Sequence, residues 1–209
     1  NQDSQEEFID GVLNEHNEIG HDKELQPEWL DTLEALYTPR RYLQSALQMS
    51  AAYLLQIAPA STITACAGFQ EGDEFRWLQR IAYRTRELQI AHPNRKFGQS
   101  ERDNWEKAPA FQGLRELMEK ALIAYDWGES FVANNLVAKV AADETLRELV
   151  VVARSFRDPV LASLADNQLR DTDRSRRWSA ALVKFCTDAR EENKAVIRSW
   201  IEDWTPLAN

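Results

Sequence analysis

From Ser61 to about Ala91 the chain carries a helical pattern with no interruption. Apolar residues recur every three or four positions, and no proline falls between Pro59 and Pro93. A helix of about 30 residues is about 45 Å long at the usual rise per residue. Such a length is uncommon in a small globular domain and ordinary in a bundle of long helices. This one element therefore restricts the fold to architectures that can line a long helix with partners.

The rest of the sequence supplies those partners. A first helix is predicted from about Gln5 to Glu18, with Phe8, Ile9, Val12 and Leu13 apolar, and a shorter one over Glu28 to Tyr37. Thr38 and Pro39 read as N-cap and first helical residue of the next, which Pro59 closes. Ser61 or Thr62 reads as the cap of the 30-residue helix. Ser100 to about Lys107 is a short helix in a connection. "AFQGLRELMEKALIAYD" is another helix, and "WGESFVANNLVAKVAADETLRELVVVARSF" a second very long one. The Leu149 to Ala153 run is β-branched, but helical flanks and the lack of bounding turn residues keep it helical. Asp158 caps and Pro159 opens a third long helix, and a last one, about Asn193 to Asp203, carries Trp200, with Trp204 one turn on. Nothing in the chain marks an internal boundary, so residues 1–209 read as a single helical domain.

With 44% hydrophobic and 28% charged residues, the 209-residue chain is long enough to bury a sizeable core. A net charge of -9 disfavours non-specific binding to nucleic acid. The one basic run, Arg170 to Trp178, is interleaved with Asp171 and Asp173, which reads as an ion-pair cluster before it reads as a phosphate site. No apolar run approaches the roughly 20 residues needed to span a bilayer. Cys66 and Cys186 are far apart, lack a Cys-x-x-Cys pattern, and read as buried free thiols of a cytoplasmic protein.

The stretch "GDEFRWLQRIAYR", Gly72 to Arg84, has the spacing of an iron-binding helix, in which Glu-x-x-His sets a carboxylate and an imidazole on one face. Here Trp77 stands where histidine belongs. The same three-residue offset recurs at Asp126 and Glu129, and at Asp173 and Arg176. A di-iron carboxylate site needs about four carboxylates and two histidines from four helices. The chain has three histidines, His16, His21 and His92. Glu18 and His21 satisfy Glu-x-x-His, but Gly20 lies between them where a helix is ending, and no second such pair exists. By spacing alone all of these are ordinary helical charges.

"DEFRWLQRIAYRTRELQ", "LIAYDWGESFVANNLVAK" and "DRSRRWSAALVKF" resemble the small (β) subunit of the hydroxylase component of bacterial multicomponent di-iron monooxygenases. These are the toluene, phenol, propane and alkene monooxygenases and their soluble methane monooxygenase relatives. "LYTPRRYLQSALQMSAAYLLQIAPASTIT" and "WIEDWTPLA" fit the same subunit. The resemblance implies an all-α, ferritin-like (ribonucleotide reductase-like) long-helix bundle. It implies a non-catalytic subunit that assembles with a larger, iron-bearing α subunit and a small γ subunit, as α2β2γ2. A reductase and an effector protein act on that complex, and hydrocarbon or aromatic substrates are oxygenated with O2. No cofactor is expected in this chain, whose di-iron centre lies in the partner. The resemblance also implies an N-terminal extension that this chain lacks.

In the iron-bearing paralogue, the motif resembling "EFRWLQ" has histidine at the place of Trp77. The motif resembling "DRSRRW" has glutamate and histidine at the places of Asp173 and Arg176. The resemblance thus marks Glu74, Trp77, Glu129, Asp173, Arg176 and Arg177 as positions of a vestigial metal site. Carboxylates left without metal repel one another and are desolvated. Arg176 or Arg177 is expected to stand in for the lost cations, bonding Glu74, Glu129 or Asp173, with Trp77 pointing inward to fill the vacated volume. Two other readings are a self-sufficient di-iron oxidase using Glu18 and His21, and a stand-alone helical binding module.

Overall fold

The structure, a computed structural model, describes residues 2–208. Among these residues helix follows helix and no strand occurs. α1 is Gln2–Glu18, α2 Pro27–Thr32, α3 Arg40–Ile57, α4 Ser61–Ala91, α5 Glu101–Lys107 and α6 Pro109–Ala121. α7 is Trp127–Phe131, α8 Lys139–Ser155, α9 Pro159–Ala189 and α10 Glu192–Trp204. Two π-helical segments interrupt the pattern: Leu33–Tyr37 follows α2, and Val132–Ala138 joins α7 to α8 into one long rod. None of these helices is long and apolar enough to cross a membrane.

Side-chain pairs give the register of a four-helix frame. Gln44 meets Glu74 and Gln48 meets Glu71, so α3 runs antiparallel to α4. Gln70 meets Asn135 and Glu74 meets Lys139, so the Trp127–Ser155 rod runs parallel to α4. Trp77 meets Asp171 and Gln70 meets Trp178, so α9 runs antiparallel to it. This is the all-α, ferritin-like bundle expected from the sequence. Its core has a large cluster around Trp29, Leu33, Leu88, Leu146 and Leu161 and a second around Leu47, Leu117, Met118 and Ala138.

The helix starts divide the expectations. Asp158 caps α9 as predicted: its Oδ1 accepts from the amide of Leu161 at 2.9 Å, and Pro159 follows. Thr38 does not cap α3. Its backbone stays right-handed helical (φ -65°, ψ -31°), its amide bonds Leu33, and its hydroxyl donates back to the Glu34 carbonyl. Pro39 keeps a right-handed helical backbone too (φ -67°, ψ -18°), so no extended cap residue precedes α3. Ser61 and Thr62 do not cap α4 either; extended Ala60 takes the cap position, and Ser61 already lies inside the first turn. Cys66 and Cys186 are free thiols and are half-buried rather than buried.

Candidate functional site at the centre of the bundle

On α4 the buried residues are Ala67, Gln70, Asp73, Glu74, Trp77, Ile81, Arg84, Thr85 and Leu88. That spacing is the core face of a helix, yet half of it is polar. Glu74, 2% exposed, is the deepest carboxylate of the four-helix frame. One oxygen accepts from the Nε2 of Gln44 on α3, the other from the Nζ of Lys139 at the start of α8. Asp143, one turn beyond Lys139, accepts from the Oγ1 of Thr172 at 3.2 Å and the Nη2 of Arg176 at 3.0 Å. Two carboxylates and two cations from α4, α8 and α9 thus close a charge-balanced cluster.

Burial pushes the carboxyls of Glu74 and Asp143 above the ordinary range, opposed by Lys139 and, at Asp143, by Arg176. Burial pulls the ammonium of Lys139 down, but the carboxylates of Glu74 and Asp143 outweigh it and its pKa ends raised. Each charge depends on its counter-charge, since an unpaired ion at this depth is expensive.

Trp77 forms a second layer. It packs among Ile9, Leu13, Val160 and Leu164, and its Nε1 donates to the Oδ2 of Asp171 at 2.8 Å. Arg76 bonds the same carboxylate and lies 3.3 Å from Asp73 and 3.1 Å from Glu6. Arg174 places Nη2 at 2.7 and 2.6 Å from the two oxygens of Asp73. A third layer is uncharged: the amides of Gln70 and Asn135 bond each other, Asn135 donates to the hydroxyl of Ser179 at 2.9 Å, and Trp178 donates to Gln70 at 3.1 Å. Asn135 belongs to the π segment, so the extra residue of that turn sets which side chains of the rod face α4.

The sequence-predicted positions separate. Glu74 and Trp77 point into the bundle and are buried. Arg176 is half-buried and bonds Asp143; it does not reach Glu74, and it lies 4.0 Å from Asp173. The cation on Glu74 is Lys139, not an arginine. Asp173 and Arg177 are exposed, and Arg177 donates to the carbonyl of Asp173. Asp171 takes the inward place instead, because two residues along a helix turn the side chain through about 200°. Glu129 is half-buried, and Asp126 is the N-cap of α7, its Oδ1 accepting from the amides of Gly128 and Glu129. Glu18 is exposed, while His21 sits 3.6 Å from Asp158, so these two do not form a ligand pair.

Lys139, Asp143 and Asp171 went unpredicted although the sequence carries a signal for them. Lys139 and Asp143 fall on the same three- and four-residue spacing as Ala142, Leu146 and Val150, and Asp171 on that of Leu164, Asn167 and Ser175. A charge on an apolar stripe is the mark of a buried ion pair. The donor set does not fit a di-iron centre: Glu74 already accepts from an ammonium and an amide, and indole stands where imidazole is required. Among the described residues no three His, Cys, Asp or Glu side chains are grouped to hold a metal ion.

Fold and centre together define a ferritin-like helical protein whose four-helix frame is cross-linked by buried ion pairs. The family model for methane/phenol/alkene hydroxylases matches residues 1–190, and the chain belongs to that family. It is 47% identical, over all 209 residues, to the toluene-4-monooxygenase system hydroxylase component subunit beta of Ectopseudomonas mendocina, and spans 64% of that protein's length. It is 25% identical over 153 residues to the propane 2-monooxygenase hydroxylase component small subunit of Rhodococcus jostii (strain RHA1), covering 71% of this chain and 41% of the relative. A solved structure of toluene 4-monooxygenase with toluene in the resting active site contains a chain superposing with TM-score 0.96 at 47% identity, covering 99% of this chain and 69% of that one. A phenol hydroxylase chain from Pseudomonas sp. OX1 shares the fold, with TM-score 0.84 at 21% identity, covering 100% and 63%.

Proposed function

We propose that residues 1–209 act as one helical domain, the non-catalytic β subunit of a cytoplasmic, multicomponent di-iron monooxygenase. In this reading the chain binds a larger, iron-bearing α subunit, with a small γ subunit in an α2β2γ2 assembly. Electrons come from NAD(P)H through a reductase, and an effector protein regulates turnover on hydrocarbon or aromatic substrates. The observation that carries the reading is the centre of the bundle. Lys139 lies against Glu74, and Trp77 occupies the core beside it, so positions suited to metal ligands are taken by a cation and an indole. The 47% identity to a subunit named as a hydroxylase β component supports it. Within the complex the chain contributes a rigid helical body, and Glu74, Trp77, Glu129, Asp173, Arg176 and Arg177 are relics of a shared ancestral frame.

The test is metal analysis beside co-purification. Co-expressed with a larger hydroxylase polypeptide, the chain should purify with it, and all iron should follow the larger polypeptide after separation. Near-stoichiometric iron in this chain alone, or a stable monomer that ignores the larger polypeptide, would overturn the proposal.

A further inference from the structure

We infer that the cleft between the start of α7, the end of α9 and α10 is a binding pocket for a small apolar molecule of about one aromatic ring. Its walls are Trp127 and Phe131 from α7, Leu182, Val183 and Cys186 from α9, and Trp200 from α10. Its volume is about 240 Å³. An apolar cavity of about 150 Å³ in another protein stays dry and takes up benzene, so this one has room for a substituted ring.

The lining decides the chemistry. Apolar surface dominates, and the polar side chains at the rim are already engaged: Asn193 donates to the Cys186 carbonyl at 2.8 Å, and Asp126 caps α7. A peptide strand entering here would bring amides and carbonyls that need partners, and the walls provide few. A hydrocarbon has no such requirement and gains from leaving water. The indole of Trp200 lies close over Gly128 on one side of the cleft. A Cβ there would stand 3.3 Å from Trp200 Cη2 and Cζ3, and the ring would have to shift. The pocket lies about two helical turns along the bundle from Glu74: Gln70 is one turn before Glu74, and Trp178, which bonds Gln70, precedes Leu182 by another.

The half-buried thiol of Cys186 gives the readout. In the full chain, free and in the complex it forms, Cys186 alkylation by iodoacetamide is followed by peptide mass spectrometry with Cys66 as internal control. Benzene should slow Cys186 severalfold at millimolar concentration and leave Cys66 unchanged. Phenol should protect less than benzene, because its hydroxyl enters without a partner. Val196, 44% exposed at the mouth, tolerates enlargement, so Val196→Trp should keep the helical circular dichroism and abolish the protection. Crystals of the complex soaked in bromobenzene should show a bromine anomalous peak between Leu182 and Trp200. Equal rates with and without benzene, protection that survives Val196→Trp, or a partner side chain filling the cleft in the complex would each overturn the inference.

Discussion

At the scale of single residues, Lys139 is the position on which the centre depends. Its ammonium is the counter-charge of a carboxylate that is 2% exposed. Lys139→Met should cost about 3–5 kcal/mol, the usual penalty for leaving a buried ion unpaired. The loss should grow with pH. The Glu74 carboxyl is already raised by burial, and without Lys139 it rises further, so the native state holds a proton that the unfolded chain releases above the ordinary carboxylate range. Stability therefore falls as pH increases through that window. Urea midpoints of the variant between pH 5 and pH 8 check this, and a midpoint that rises with pH would sink it. Glu74→Gln combined with Lys139→Met should recover most of the loss, because exchanging both partners removes the charges together.

At the scale of elements, the informative cases are where helices begin. Asp158 holds α9 by accepting from the Leu161 amide, and it also accepts from the indole nitrogen of fully buried Trp29 at 2.9 Å. Asp158→Ala should lose about 3 kcal/mol, the sum of a lost cap and a buried indole left unpaired. Asp158→Asn, which keeps a side-chain acceptor, should lose less. The carboxyl of Asp158 is pulled below its ordinary value: burial raises it, but His21 at 3.6 Å, the charge of Arg84 and the hydrogen bonds from the Leu161 amide and the Trp29 indole outweigh that. Its contribution is thus present above the ordinary carboxylate range and disappears as pH falls. The acid limb of a denaturation series should be shallower in the asparagine variant than in the parent chain; an identical limb would remove the ionised carboxylate from the account. The Asp-Pro signal was legible because cap and first-turn proline are local chemistry. The Thr-Pro signal at Thr38 misled, because a π turn upstream carried the helix through it.

At the scale of the whole molecule, α1 and the frame are joined differently from the frame's own helices. Ile9 and Leu13 pack on Trp77, and Arg80 pairs with Glu6 and Asp10 across to α1. The arginine is 17% exposed and Asp10 59%, so solvent weakens that pairing. Arg80→Ala should change global stability by no more than about 1 kcal/mol while amide exchange within α1 speeds up and that of α4 stays as it was, a local opening. Hydrogen exchange read by mass spectrometry separates the outcomes; equal acceleration in both helices would show that α1 opens only with the bundle.

The sequence by itself determined the helical class, the long elements and the family, because apolar periodicity, proline placement and long motifs are written along the chain. Spacing alone left Glu74 and Trp77 as ordinary helical positions; the family resemblance singled them out, and the packed bundle buries both. Which charges meet was decided only in the tertiary structure. Lys139 reaches Glu74, Arg176 reaches Asp143, and Asp171 rather than Asp173 receives the indole of Trp77. The pairing depends on the rotation of each helix about its axis and on the extra residue in the π segment, and both are fixed when four helices pack at once. One residue's step turns a side chain by about 100°, so a motif offset that looks right in the sequence can face solvent in the bundle.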